Sequence, residues 1–223
     1  MTINEIFEKI ANERVLIVGD VMIDSYMWGK VTRISPEAPV PVVAVTKREK
    51  SLGGAANVAL NIEAMGANPI ICSVLGDDDN SKDFQQIMYE ANMDRRGIVV
   101  SDNRMTTVKS RVIGNNMHIV RVDEESTNAL SAIEEDKLLD RINRTIKTLH
   151  IDAIIFQDYD KGCITERIIK EVTAIARRKK ILTTVDPKHL NFGLFKDVCV
   201  FKPNLKELHE GLNIDIDDTS EET

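Results

Sequence analysis

An α/β sandwich is the fold this sequence predicts: a mainly parallel sheet with helices on both faces and a small inserted β lid. Three observations carry that expectation. Apolar runs of strand length alternate with segments of helical period, the pattern of a parallel sheet covered by helices. The first of these runs, RVLIVG at Arg14–Gly19, is continuously apolar after its arginine, as a strand buried on both faces must be. Two stretches, residues 26–50 and 106–123, abandon the helical period for two-residue alternation.

The elements follow in order. Ile3–Asn12 reads as a short helix ahead of the first strand. Asn57–Gly66 reads as a helix that Gly66 ends, followed by strand Pro69–Leu75 and helix Ser81–Asn92. Ser131–His150 is a long amphipathic helix with Leu138, Ile142, Ile146 and Leu149 on one stripe. Strand Ala153–Phe156, helix Thr165–Lys179, and strands Ile181–Val185 and Val198–Phe201 complete the body, with a further helix starting beyond. Within the lid, Pro36, Pro39 and Pro41 prevent the first stretch from being interior strand throughout. Gly114-Asn115 lies between two alternating runs, a hairpin signal. The two stretches are expected to form one small antiparallel sheet, serving as a lid or a subunit contact.

Composition narrows the class. With 43% apolar residues in 223, the chain can build a core and is not a disordered tail. No apolar run approaches the length of a membrane span, and MTINEIFEKI lacks the form of a signal peptide. A cytoplasmic protein with no membrane partner is expected. Lys and Arg number 29 against 36 Asp and Glu, for a net charge of −7. The stretch 207–223 alone holds seven acids and no Lys or Arg, so the body is near neutral. Within that body, residues 103–122 carry Arg104, Lys109, Arg111 and Arg121 and no acid. Such an island suits an anionic small molecule, or a solvated hairpin, better than a nucleic acid, which needs a broader basic face. Cys72, Cys163 and Cys199 have no zinc spacing and sit in or beside apolar runs, so all three are expected as buried thiols.

The chemistry-bearing segment is Gly53-Gly54-Ala55-Ala56-Asn57. Adjacent glycines at a helix start let backbone approach a ligand, and free N–H groups there favour oxygen-rich groups. Asn57 can both donate to and accept from a sugar hydroxyl. From here the spacing runs GGAANVA, six residues, Gly66, nine residues, Gly76. That spacing resembles the first signature of the ribokinase/PfkB family of carbohydrate kinases, and the likeness extends from Arg14 to the end of the sequence. RISPEAPVPV at 33–42 resembles the heptose-7-phosphate kinase branch of that family. So do Thr107–Arg111, Arg121–Asp123, Asp158–Gly162, Val185–Lys188 and Lys202–Glu207, in the same order.

The resemblance implies a ribokinase-like three-layer sandwich and ATP-dependent, Mg²⁺-dependent transfer to the anomeric hydroxyl of D-glycero-D-manno-heptose 7-phosphate. Another sugar kinase of the family, or a noncatalytic sugar-phosphate binder, are the alternatives. Asp24, Gly53, Gly54 and Asn57 are the implied sugar-side residues. Lys109, Arg111, Arg121 and Lys188 are candidates for the distal phosphate, Arg being suited by its fork. Asn204, Leu205, Lys206 and Glu207 are the implied nucleotide-side motif, with Glu207 reaching Mg²⁺ through water. Asn204 as a helix cap and Glu207 as a first-turn acid are compatible with those roles. The lid implies a homodimer. The family's Gly-Ala-Gly-Asp motif, which supplies the anion hole and the base, does not occur in these residues. Thr219–Glu222 has the form of a capping box just before Thr223. The expectation is therefore an incomplete kinase domain over 1–223, lacking its C-terminal third and inactive as it stands.

Overall fold

The computed structural model describes residues 2–213, so the Thr219–Glu222 capping box lies outside the described residues. The elements in chain order are α1 (Ile3–Ile10), β1 (Arg14–Gly19), β2 (Val21–Ile34), β3 (Pro41–Gly54), α2 (Ala55–Ala64), β4 (Asn68–Gly76), α3 (Asp79–Glu90), β5 (Asp94–Ser101), β6 (Val108–Gly114), β7 (Met117–Glu124), α4 (Ala132–Thr148), β8 (Ala153–Gln157), α5 (Glu166–Lys179), β9 (Leu182–Asp186), β10 (Val200–Phe201) and α6 (Leu205–Leu212).

Six strands form the body sheet in the order β10-β9-β8-β1-β4-β5, with every pairing parallel. Alternate residues of β1 serve opposite faces, as strand geometry requires. Leu16 and Val18 pack with Leu138 and Ile142 of α4 and Ile168 and Val172 of α5. Val15 and Ile17 pack with Ala56 and Ala59 of α2 and Phe84 and Met88 of α3. Two cores, one on each face, are why RVLIVG has no polar alternation. Helix starts are set by local side chains: Asp78 caps α3, Thr165 caps α5, and Ser131 with Glu134 closes a capping box on α4.

β5 is a strand the periodicity does not reveal. Its apolar content is only Ile98-Val99-Val100, behind Asp94-Arg95-Arg96-Gly97. It is an edge strand paired only with β4, so less of it is buried. Its backbone closes on β4 at Gly97, where a Cβ would stand 2.1 Å from the Ile71 carbonyl oxygen.

The lid expectation is corrected in one respect. Its four strands, ordered β3-β2-β6-β7, form a mixed sheet. The β2–β3 and β6–β7 pairs are antiparallel, but β2 and β6 are parallel. The reason is topological: β2 follows β1 and β6 follows β5, both leaving the carboxyl ends of parallel strands in the same direction. The β6–β7 turn is Asn115-Asn116, both with positive φ (52° and 64°), as a tight hairpin demands. Val108, counted with the lid by its alternation, is buried in the body core. The cysteine expectation is also corrected. Cys72 and Cys163 are buried, and burial pushes both thiols up to about 12, but Cys199 is exposed beside the edge strand β10. No helix among the described residues is long and apolar enough to cross a membrane.

Candidate active site

β1 has β4 on one side and β8 on the other, so the winding of the sheet reverses there. At such a switch point the carboxyl ends of the strands open a crevice that takes ligands. The residue at that end of β1 is Asp20, buried at 3% exposure. Its carboxylate accepts the backbone N–H groups of Tyr159 (2.8 Å), Lys161 (3.2 Å) and Cys163 (2.9 Å). Its carbonyl accepts the N–H of Ala55, the first residue of α2, at 2.8 Å. Burial raises the Asp20 pKa against the pull of those three bonds. One side chain thus ties β1, the loop after β8 and the start of α2 together. Asp158 lies beside it, with burial pushing it up to about 6 although Asn191 and the Asp160 N–H bond its carboxylate.

The residues expected on the sugar side lie at the base of the lid. Asp24 lies in β2, in register with Ser51 and Lys109. Arg111 donates from Nη1 to Asp24 Oδ1 at 2.6 Å, and its guanidinium lies 5.2 Å from the Tyr26 ring. Burial opposes the charge on Arg111, but the hydrogen bond and charge of Asp24 outweigh it and raise its pKa. Gly53 packs against the same carboxylate: a Cβ there would stand 2.4 Å from Asp24 Oδ2. Gly54, at φ 61°, precedes α2, and a Cβ on it would meet the Asp20 carbonyl oxygen at 2.4 Å. Asn57 is exposed in the first turn of α2.

The basic island meets acids that lie just outside it in sequence. Lys109 donates to Asp123 (3.1 Å) and Glu125 (3.2 Å), Lys161 to Glu125 (2.7 Å), and Arg121 to Asp123 (2.9 Å). Partial burial works against the charge on Asp123 and Glu125, yet these cations hold both below the ordinary carboxylate range. Arg121 is the outermost of the group, its side chain 60% exposed.

On the other side of the crevice, Lys188 pairs with the buried Glu207 and lies 5.9 Å from the Tyr159 ring. Burial disfavours the Lys188 charge, but Glu207 prevails and raises its pKa. Asn204 caps α6: its side chain accepts the Glu207 N–H, and Glu207 Oε2 accepts the Asn204 N–H, each at 2.8 Å. Leu205 and Lys206 are exposed, with Lys206 reaching Glu210 at 3.7 Å. Lys202 pairs with Asp186 at 3.1 Å. Tyr159 joins the halves: burial, then the charges of Asp186 and Asp24, raise its pKa, while Lys188 lowers it. Tyr159, Asp20 and Glu125 are the site residues that sequence reasoning leaves without a role. The one signal for Asp20 is its place directly after an apolar strand.

Both oxygens of Glu207 are engaged, Oε1 by Lys188 and Oε2 by the Asn204 N–H. Among the described residues no three His, Cys, Asp or Glu gather as a metal cage.

Residues 12–223 match the family described as pfkB family carbohydrate kinase. The chain is 40% identical over 205 residues to the bifunctional protein HldE of Geotalea uraniireducens strain Rf4, covering 92% of this chain and 41% of that protein. It is 39% identical over 205 residues to the bifunctional protein HldE of Helicobacter pylori strain P12, covering 92% and 44%. The chain thus spans less than half the length of these curated relatives. Its fold is similar to phosphofructokinase-2 from Escherichia coli in complex with fructose-6-phosphate, at a TM-score of 0.68 and 16% identity over 91% of this chain and 65% of that one. A putative phosphofructokinase from Staphylococcus aureus gives a TM-score of 0.68 and 15% identity over 92% and 64%. From its matched residues and its close relatives, the chain belongs to the pfkB family of carbohydrate kinases.

Proposed function

We propose that this chain carries the sugar-phosphate half-site, and the start of the nucleotide site, of an ATP-dependent kinase acting at O-1 of D-glycero-D-manno-heptose 7-phosphate. The product, the 1,7-bisphosphate, would feed ADP-heptose and lipopolysaccharide core synthesis in the cytoplasm. The observation that carries the reading is the contact of Asp24 with Arg111 at 2.6 Å beside Gly53. A carboxylate able to accept paired ring hydroxyls stands next to a fork suited to phosphate. RISPEAPVPV at 33–42, and the similarity to the HldE proteins, support the heptose assignment.

In this reading Asp24 and Asn57 orient the ring, and Arg111 and Lys109 hold its phosphate. Lys188, expected at the distal sugar phosphate, pairs instead with Glu207 of the nucleotide-side motif, and with Lys202 it offsets the charge of the ATP phosphates. Asn204 and Glu207 hold the water shell of Mg²⁺, which supplies charge neutralisation for the transferred group when bound. Phosphoryl transfer depends on positioning and charge stabilisation. The present residues supply part of both, and no Gly-Ala-Gly-Asp segment is among them.

Calorimetric titration tests the substrate. Heptose 7-phosphate should bind the 223-residue polypeptide, while ribose and fructose 6-phosphate should bind far more weakly. Preference for either competitor would transfer the assignment to another sugar. Incubation with ATP, Mg²⁺ and heptose 7-phosphate should release no ADP above the sugar-free blank. Heptose-dependent turnover would show that the reaction needs no further base.

A further inference from the structure

The geometry points to Arg111 as a specificity-determining latch: it occupies Asp24 when no sugar is bound, and only a substrate carrying its own anion releases that carboxylate for ring hydroxyls. This rests on the reading of Asp24 and Arg111 given above and adds how the two are coupled.

The island's cations are not equivalent. Lys109 and Arg121 share Asp123, and Lys109 and Lys161 share Glu125. If Lys109 turns to a ligand, both acids keep a cation. Among the described residues Arg111 is the one cation paired with Asp24, so its departure uncovers the carboxylate. The pair is only about one-fifth exposed on each side (22% and 21%), and Gly53 closes on the other oxygen of Asp24. Asp24 is therefore enclosed between a glycine and a guanidinium.

The strand register shows that the contact is a choice of side-chain conformation. Arg111 stands directly opposite Tyr26, while Asp24 stands opposite Lys109. Arg111 thus reaches Asp24 along the diagonal, within range of a long side chain. Its guanidinium already lies near the Tyr26 ring. It can leave Asp24 by rotating over that ring, without moving the backbone.

A neutral sugar must break the ion pair and leave Arg111 without a carboxylate, holding only the Lys109 carbonyl at 3.3 Å. A sugar phosphate exchanges one pair for two contacts, phosphate on Arg111 and hydroxyls on Asp24. Discrimination then exceeds what the phosphate contact alone gives, because the site contains an element that acts against the neutral competitor.

The test titrates heptose and heptose 7-phosphate into wild type, Arg111→Ala, Arg111→Gln, Asp24→Asn and the Asp24→Asn/Arg111→Ala double variant, each with a thermal melt. Arg111→Ala should weaken heptose 7-phosphate by about ten- to a hundredfold. The same change should tighten heptose by about three- to tenfold, as expected for removing a partly screened competing pair. Arg111→Gln should act in the same directions, and it serves if the alanine variant melts early. In the Asp24→Asn background, removing Arg111 should no longer improve heptose binding, which is the signature of coupling. If folded Arg111 variants lose heptose 7-phosphate and bind heptose no better than wild type, the latch is wrong and Arg111 is a phosphate ligand only. If folded wild type binds neither sugar, the half-site reading fails and the latch fails with it.

Discussion

Gly53 shows how closely one residue can be specified by its neighbours. It is not in a left-handed conformation, so any side chain would satisfy its backbone. What excludes a side chain is space: a Cβ would meet Asp24 Oδ2 at 2.4 Å and Met22 Cγ at 2.8 Å. Gly54 differs, since a Cβ there would meet a backbone oxygen and its φ of 61° also disfavours any side chain. Gly53→Ala should therefore displace the Asp24 carboxylate, at a cost of about 1–3 kcal/mol in stability. It should also weaken heptose 7-phosphate binding in calorimetry. Gly54→Ala should lower stability by at least as much, through Asp20 and α2. A Gly53→Ala protein with wild-type melting and wild-type affinity would show that the carboxylate has room to retreat.

Among the elements, the loop after β8 has the clearest pH signature. Asp158 has a folded pKa of about 6 against an ordinary 3.8, because burial penalises its charge. A raised folded pKa contributes stability that is fully present below about 3.8 and is lost as pH rises through about 6. The shift corresponds to about 2–3 kcal/mol. Asp158→Asn removes the titration while keeping the shape. Urea unfolding of both proteins at pH 4 and pH 7.5 should show the wild type losing stability relative to the variant as pH rises. A difference that is flat with pH would mean that Asp158 is solvated. The loop also marks the limit of what the sequence discloses. Apolar runs reveal β1, β4 and β8, and buried stripes with local caps reveal α3, α4 and α5. β5 escapes because an edge strand needs only three apolar residues. The parallel β2–β6 pairing escapes because it joins segments some 85 residues apart, as in Ile23 with Val108. The glycine spacing and RISPEAPVPV are local and legible. Asp24, the acid that neutralises Arg111, lies 87 residues from it and is a partner chosen by the fold, so no periodicity shows it.

At the scale of the whole molecule, the lid has two faces of opposite character. The register places Asp24, Tyr26, Lys109, Arg111, Arg121 and Asp123 in rows on one face. The intervening rows, Met27–Val112–Val120 and Ser25–Ser110–Val122, fall on the other. Val120 and Val122 are about half exposed there, at 49% and 48%. The charged face is the one proposed for the ligand, whose engagement would not cover these valines. A second copy of the chain can cover them, and the edges at β3 and β7, unpaired among the described residues, are open to the same partner. The apolar face of the lid is therefore the contact expected of the proposed homodimer. Sedimentation at micromolar concentration should give twice the 25.0 kDa mass of one chain. The double substitution Val120→Glu with Val122→Glu should give monomers that still melt cooperatively, since neither side chain is in the buried core. Two acids on each facing lid repel across the contact and are solvated in the monomer, so association is lost without loss of the fold. A wild-type monomer at these concentrations, with a lid that resists proteolysis, would show that the lid's own four strands suffice to keep the valines ordered.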